Sequence, residues 1–122
     1  MKYTDLNNSL LEHFPELEER AREEFRWWSP EPPPSHVFYG DVLTPFVKQQ
    51  LSTMAEPKLL DRIFQFLEAM AMSGQDEVKA VLTDSILEVI GDDRELLARA
   101  RALMGRETLA LSHVTEKQWG RE

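Results

Sequence analysis

The chain has 122 residues, 42% of them apolar and 30% charged, with a formal net charge of -8 and no cysteine. This length supports one hydrophobic core and not two catalytic lobes, so a single domain over residues 1–122 is expected. The acidity opposes binding to nucleic acid phosphates, the lack of cysteine removes disulfides and thiolate metal sites, and no apolar run is long enough to span a bilayer.

Along the chain, Tyr3, Leu6, Leu10, Phe14, Leu17, Ala21, Phe25 and Trp28 recur at three- and four-residue steps. That spacing predicts one buried stripe, with Pro15 either kinking a helix or opening a second one. Glu16 with Arg20, and Glu18 with Arg22, stand at the favourable i,i+4 spacing on the opposite face. After Trp28 the run SPEPPPS cannot continue a helix, and Pro32, Pro33 and Pro34 predict a short polyproline rod inside a connector over residues 29–40. HVFY reads as an extended approach to the next helix, and Thr44 before Pro45 reads as its start, with Asp41 as an earlier alternative cap.

Pro57 opens a helix whose apolar residues, from Leu59 to Met70, cover more than half its circumference, which makes it the expected central helix. Ser73 and Gly74 are expected to stop it, with Gly74 as a left-handed cap. A helix carrying Val78, Val81, Leu82, Ile86 and Ile90 follows and ends at Gly91, and Asp92 with Glu95 has the form of a capping box. Leu96, Leu97, Ala100 and Leu103 mark the next helix. Gly105 terminates it, and a last helix runs from about Glu107 to Trp119. The expected fold class is all-α, a single bundle of six or seven short antiparallel helices. QFLEAM and SILEVI echo each other at a spacing of twenty residues, so stacked pairs of HEAT type are a variant of this expectation. Glu68 and Glu88, within these echoes, are expected at the stripe edge, reaching water or an arginine such as Arg62, Arg94 or Arg99.

Catalytic motifs are not found. His13, His36 and His113 are far apart and the acids form no calcium loop, so neither a metal nor a cofactor is expected. The five glycines are scattered and build no phosphate-cradling loop. What remains is a binding surface. Residues 1–40 and 41–90 each carry eight acids against four bases, a field that steers a basic partner. Aromatic rings beside carboxylates resemble the centre of many recognition surfaces, which singles out Trp27, Glu31, His36, Tyr39 and Asp41, with Glu19 and Glu23 as steering acids. Structural roles stay open beside this one: Trp27 packing on Pro30 or Pro32, Phe38 plugging the core, and Tyr39 and His36 closing the loop through hydrogen bonds. The N-terminal MKYTDLNNSLLEHF has neither the unbroken apolar stretch of a secretory signal nor an arginine-rich transit pattern, so a cytoplasmic protein is expected.

The segments SHVFYGDVLTPFV and RIFQFLEAMAMSGQDEVKAVLTDSILEVI, with the LMGRET turn, give the chain a resemblance over roughly residues 36–110 to small bacterial all-helical proteins akin to the immunity proteins of polymorphic toxin systems. The resemblance implies a non-enzymatic protein that binds a cognate, basic toxin domain and covers its active site. It implies no particular contact residues. The alternative expectation is a helical adaptor or structural protein, homodimeric through an apolar face. An enzyme built on converging carboxylates is the third.

Overall fold

The computed structural model describes residues 1–122 as seven helices and no strand. After a short 3₁₀ turn over Tyr3–Asp5, α1 spans Leu6–His13. Phe14 leaves helical geometry at φ -131°, Pro15–Leu17 forms a second 3₁₀ turn, and α2 spans Glu18–Trp28. Pro15 therefore opens a new helix, where its missing N–H and fixed φ are harmless. The apolar stripe stays in phase across the break: Leu6, Leu10, Phe14, Leu17 and Ala21 are buried, and Tyr3, Phe25 and Trp28 half-buried. Of the two expected ion pairs, Glu18 to Arg22 forms at 3.0 Å. Glu16 instead meets Arg62 at 3.2 Å, because Arg62 also donates to the His13 carbonyl where α1 ends.

The connector is shorter than the sequence predicts. Pro34 is extended at ψ 145°, but Ser35–Phe38 is already helical and runs through a wide π turn over Tyr39–Leu43 into Thr44–Thr53, forming one helix, α3. HVFY is thus not extended. Once the prolines end at position 34, a helix places Phe38, Tyr39, Val42 and Leu43 together in the core, whereas a strand would turn half of them outward. Thr44 and Pro45 lie inside this helix and do not start it. Pro45 supplies no N–H and its ring crowds the carbonyl four residues back; the π turn just before it opens the backbone at that place.

Met54, in the left-handed conformation at φ 52°, closes α3, and α4 spans Pro57–Ala71. Helix α4 buries Leu59, Leu60, Ile63, Phe64, Phe66, Leu67, Met70 and Ala71 but is not the most enclosed, since the helix over residues 76–91 also buries eight and exposes only Asp76, Glu77 and Asp84. Gly74 does not provide the left-handed cap, for Gly120 is the sole glycine with positive φ. The Ser73 hydroxyl accepts from the Gln75 N–H and shapes the turn instead. Helix α5 runs from Asp76 to Gly91, with a π turn over Val81–Leu87. Helix α6 spans Arg94–Arg101 and is capped by Asp93, one residue later than expected: its carboxylate accepts from Glu95 and Leu96 N–H at 3.0 and 3.1 Å. Helix α7 spans Arg106–Gln118.

The π turns of α3 and α5 pack against each other at the centre of the molecule. There the Thr44 hydroxyl donates to the Ser85 carbonyl at 2.7 Å, and the Ser85 hydroxyl donates to the His36 carbonyl at 2.8 Å. Gly40 lies at this crossing, where a Cβ would stand in ordinary contact with Ser85 Cβ at 3.9 Å. The core is one cluster of 29 buried apolar residues. A relay of rings runs through it, from Phe25 to Phe38 at 5.4 Å, then Tyr39, Phe66 and Phe14. Such contacts contribute about 0.5–1.5 kcal/mol per pair beyond burial.

Candidate functional site

Helix α2 sets the site because its residues divide cleanly by direction. Ala21, Glu24, Phe25 and Trp28 face inward, while Glu19, Glu23 and Trp27, spaced by four, share the outward face. All three are exposed, and neither glutamate has an ion-pair partner. Trp27 is 85% exposed. An indole held in water by a helix end keeps a large apolar area available at small entropic expense. The chain then turns into the connector, where Glu31 is also exposed and unpaired.

Asp41, exposed on the first part of α3, adjoins Glu24 of α2. Glu24 is half-buried, and its Oε2 atom is shielded from water with no hydrogen-bond partner. Burial, and then the Asp41 carboxylate beside it, push the Glu24 carboxyl above its ordinary range; a hydrogen bond involving Trp28 opposes them weakly. Two acceptor-only groups placed together account for the orphan oxygen: the arrangement is satisfied when Glu24 carries a proton.

The sequence candidates therefore separate. Glu19, Glu23 and Trp27 form one stripe, Glu31 extends it along the chain, and Asp41 stands at its edge with Glu24. Tyr39 does not belong to it. It is 0% exposed and donates its hydroxyl to the Leu6 carbonyl at 2.5 Å, with burial raising its phenol well above the ordinary value. The helical phase of α3 turns its ring inward against Phe66. His36, half-buried, tilts against Tyr3 at 6.4 Å and lies away from the stripe.

Two acids, one half-buried and one buried, serve architecture. Glu68 stands at the half-buried stripe edge as expected, but it meets no arginine: its carboxylate accepts from the N–H groups of Glu107 and Thr108 at 3.0 and 2.8 Å and from the Thr108 hydroxyl at 2.7 Å. It caps α7 from α4. Burial alone would raise its pKa, but these hydrogen bonds outweigh burial and hold the carboxyl below its usual value. Glu116, 1% exposed, pairs with Arg94 and Arg121, each at 2.7 Å. No group of three or more His, Cys, Asp or Glu is placed to hold a metal ion, and no helix is long and apolar enough to cross a membrane.

A family model described as a domain of unknown function matches residues 7–120, nearly the whole chain. No curated protein and no solved structure matches it.

Proposed function

From the premise that the chain belongs to the DUF7674 family, domains of unknown function, we propose that it is a non-catalytic binding protein that docks a basic protein partner through the outward face of α2 and the connector. The observation that carries this reading is Trp27, 85% exposed at the end of a stripe with unpaired Glu19 and Glu23. A rigid aromatic provides contact area, and the surrounding net negative charge accelerates encounter with a basic surface. Glu31 and Asp41 border the same contact.

The immunity-type role implied by the resemblance is the specific form of this proposal: in the cytoplasm, the protein occludes the active site of a cognate toxin domain and so neutralises it. It needs no cofactor for that. Co-expression with the product of the neighbouring gene tests it. A complex that survives purification, together with rescue of growth, is expected; no complex and no rescue would remove the reading. Self-association through an apolar face in place of such a complex would favour the adaptor alternative.

A further inference from the structure

Helix α7 is attached to the molecule in a different way from the other six. Each of α1 to α6 places at least one side chain in the cluster of 29 buried apolar residues, which ends in the sequence at Ala100. Helix α7 places none there. Its buried side chains are Thr108, Ser112, Thr115 and Glu116, none more than 2% exposed. Ala110 and Val114 are turned to solvent, and among its apolar residues Leu111 alone packs against the cluster, from a half-buried position. The inner face of this helix is therefore its polar one, the reverse of the usual amphipathic arrangement.

Hydrogen bonds and ion pairs hold α7 down along its whole length. At its start the Glu68 carboxylate of α4 accepts from the Glu107 and Thr108 N–H groups and from the Thr108 hydroxyl. At its middle Arg101, where α6 ends, donates from Nε to the Ser112 hydroxyl at 3.1 Å. At its end Arg94 meets Glu116 at 2.7 Å. The chain then reverses at Gly120, whose φ of 66° suits glycine. Beyond it Arg121 reaches Asp92 at 2.5 Å and the Glu88 carbonyl at 3.2 Å, and Glu122 pairs with Arg101 at 2.8 Å and His113 at 2.7 Å. Residues 120–122 thus form a strap that ties the end of α7 back to α5 and α6.

The two kinds of attachment respond differently to water. A helix that lifts from an apolar core loses its contacts outright, whereas polar contacts are exchanged for hydrogen bonds with solvent. Lifting α7 wets both members of each pair together, so no charge stays buried without its partner, the condition that makes a single removal costly. Beneath it, α4 and α5 keep their packing on each other and on α3.

We propose that α7 and the strap form a lid that lifts from α4 and α5 as one unit while the apolar core stays closed, uncovering Gly91, which lies against the Glu116 carboxylate. The lid shares no residue with the docking face on α2 and the connector. Native-state hydrogen exchange, followed by NMR at urea concentrations below the unfolding transition, reads such an opening. The amides of residues 109–119 and of Arg121 are expected to open together, with one shallow urea dependence and protection at least about tenfold below that of residues 63–71 in α4. A second measurement uses the absence of cysteine from the chain, which makes one introduced thiol an unambiguous reporter. Thr115→Cys under the lid and Val81→Cys in the core, both buried in the parent chain, are treated with a thiol reagent, and each rate is compared with the global opening given by that variant's own urea stability. Thr115→Cys is expected to react at least about tenfold faster than global opening allows, and Val81→Cys no faster than it. Protection and urea dependence in α7 equal to those of α4, protection that falls residue by residue toward position 118 as in end fraying, or Thr115→Cys limited by global unfolding would overturn the proposal.

Discussion

Glu68 of α4 and Thr108 of α7 form a cap contributed from a distance: the carboxylate accepts both the N–H of Thr108, at 2.8 Å, and its hydroxyl, at 2.7 Å. The residue at the helix boundary is Gly105, which has no side chain to do this, and a Cβ there would stand 2.5 Å from the Glu68 carboxyl carbon. Charge-assisted bonds of this kind, added to the favourable helix dipole, make the contact worth about 2 kcal/mol. Glu68→Ala is expected to lower unfolding stability in urea by about that amount, and Glu68→Gln by about half of it. The pH dependence follows from the direction of the shift. The folded carboxyl titrates below its ordinary value near 4.5, so its contribution is full above that pH and is lost as pH falls through the lower, folded value. Urea midpoints measured from pH 6 down to the acid transition should show this loss in the parent chain and not in Glu68→Gln.

Glu24 has the opposite sign. Its carboxyl is raised in the folded chain, so the folded state holds the proton more tightly, and stability is lost as pH rises through the ordinary carboxylate range toward the folded value. Glu24→Gln removes the repulsion from Asp41 and is expected to stabilise the protein at neutral pH by less than about 1 kcal/mol, with no gain at acid pH. Thermal melts at two pH values check it.

The crossing of α3 and α5 is bridged by two hydroxyls, those of Thr44 and Ser85. Thr44 is 2% exposed and donates to Ser85 O at 2.7 Å. Thr44→Val keeps the shape and leaves that carbonyl without its donor, which costs about 1–3 kcal/mol. Urea unfolding measures the loss, and faster amide exchange around residues 81–87 should accompany it.

At the far end of the bundle, Gly91 is buried against the Glu116 carboxylate, and its Cβ position lies 2.5 Å from Arg121 Nη2. A methyl group there displaces an ion pair that also holds Asp92 and the Glu88 carbonyl. Gly91→Ala is expected to destabilise by less than the roughly 3–5 kcal/mol of a fully broken buried pair, because Glu116 loses Arg121 and keeps Arg94. The size of the drop in melting temperature tests this.

Local rules made much of this fold legible. The spacing of Leu6, Leu10, Phe14, Leu17 and Ala21 gave the buried stripe, Pro57 gave the start of α4, and the last helix expected from about Glu107 begins at Arg106, whereas Gly105 does not end α6, which stops at Arg101. What the sequence hid depends on partners distant in the chain. Glu68 read as an acid reaching water or an arginine because Thr108 lies far along the chain, although a helix opening after a glycine lacks a cap of its own and so signals the need for one. Tyr39 stayed open between a recognition ring and a loop-closing hydrogen bond because three prolines suggested an extended continuation; a helix starting at Ser35 turns it inward, where its hydroxyl meets the Leu6 carbonyl. Trp27 was legible as off-stripe from helical phase alone, and so were Glu19 and Glu23. The grouping of Phe25 and Asn7 with the prolines was not, since these residues meet only in space.

The association rate between this protein and the product of the neighbouring gene, measured by stopped flow across a range of ionic strength, tests the docking account most directly. A rate that falls steeply as salt rises is expected, with Glu19→Lys/Glu23→Lys slowing it and Trp27→Ala weakening the complex by about 2 kcal/mol, while all of these variants melt with the parent chain. A rate indifferent to salt, and a complex unchanged by loss of Trp27 and reversal of both glutamates, would contradict the account.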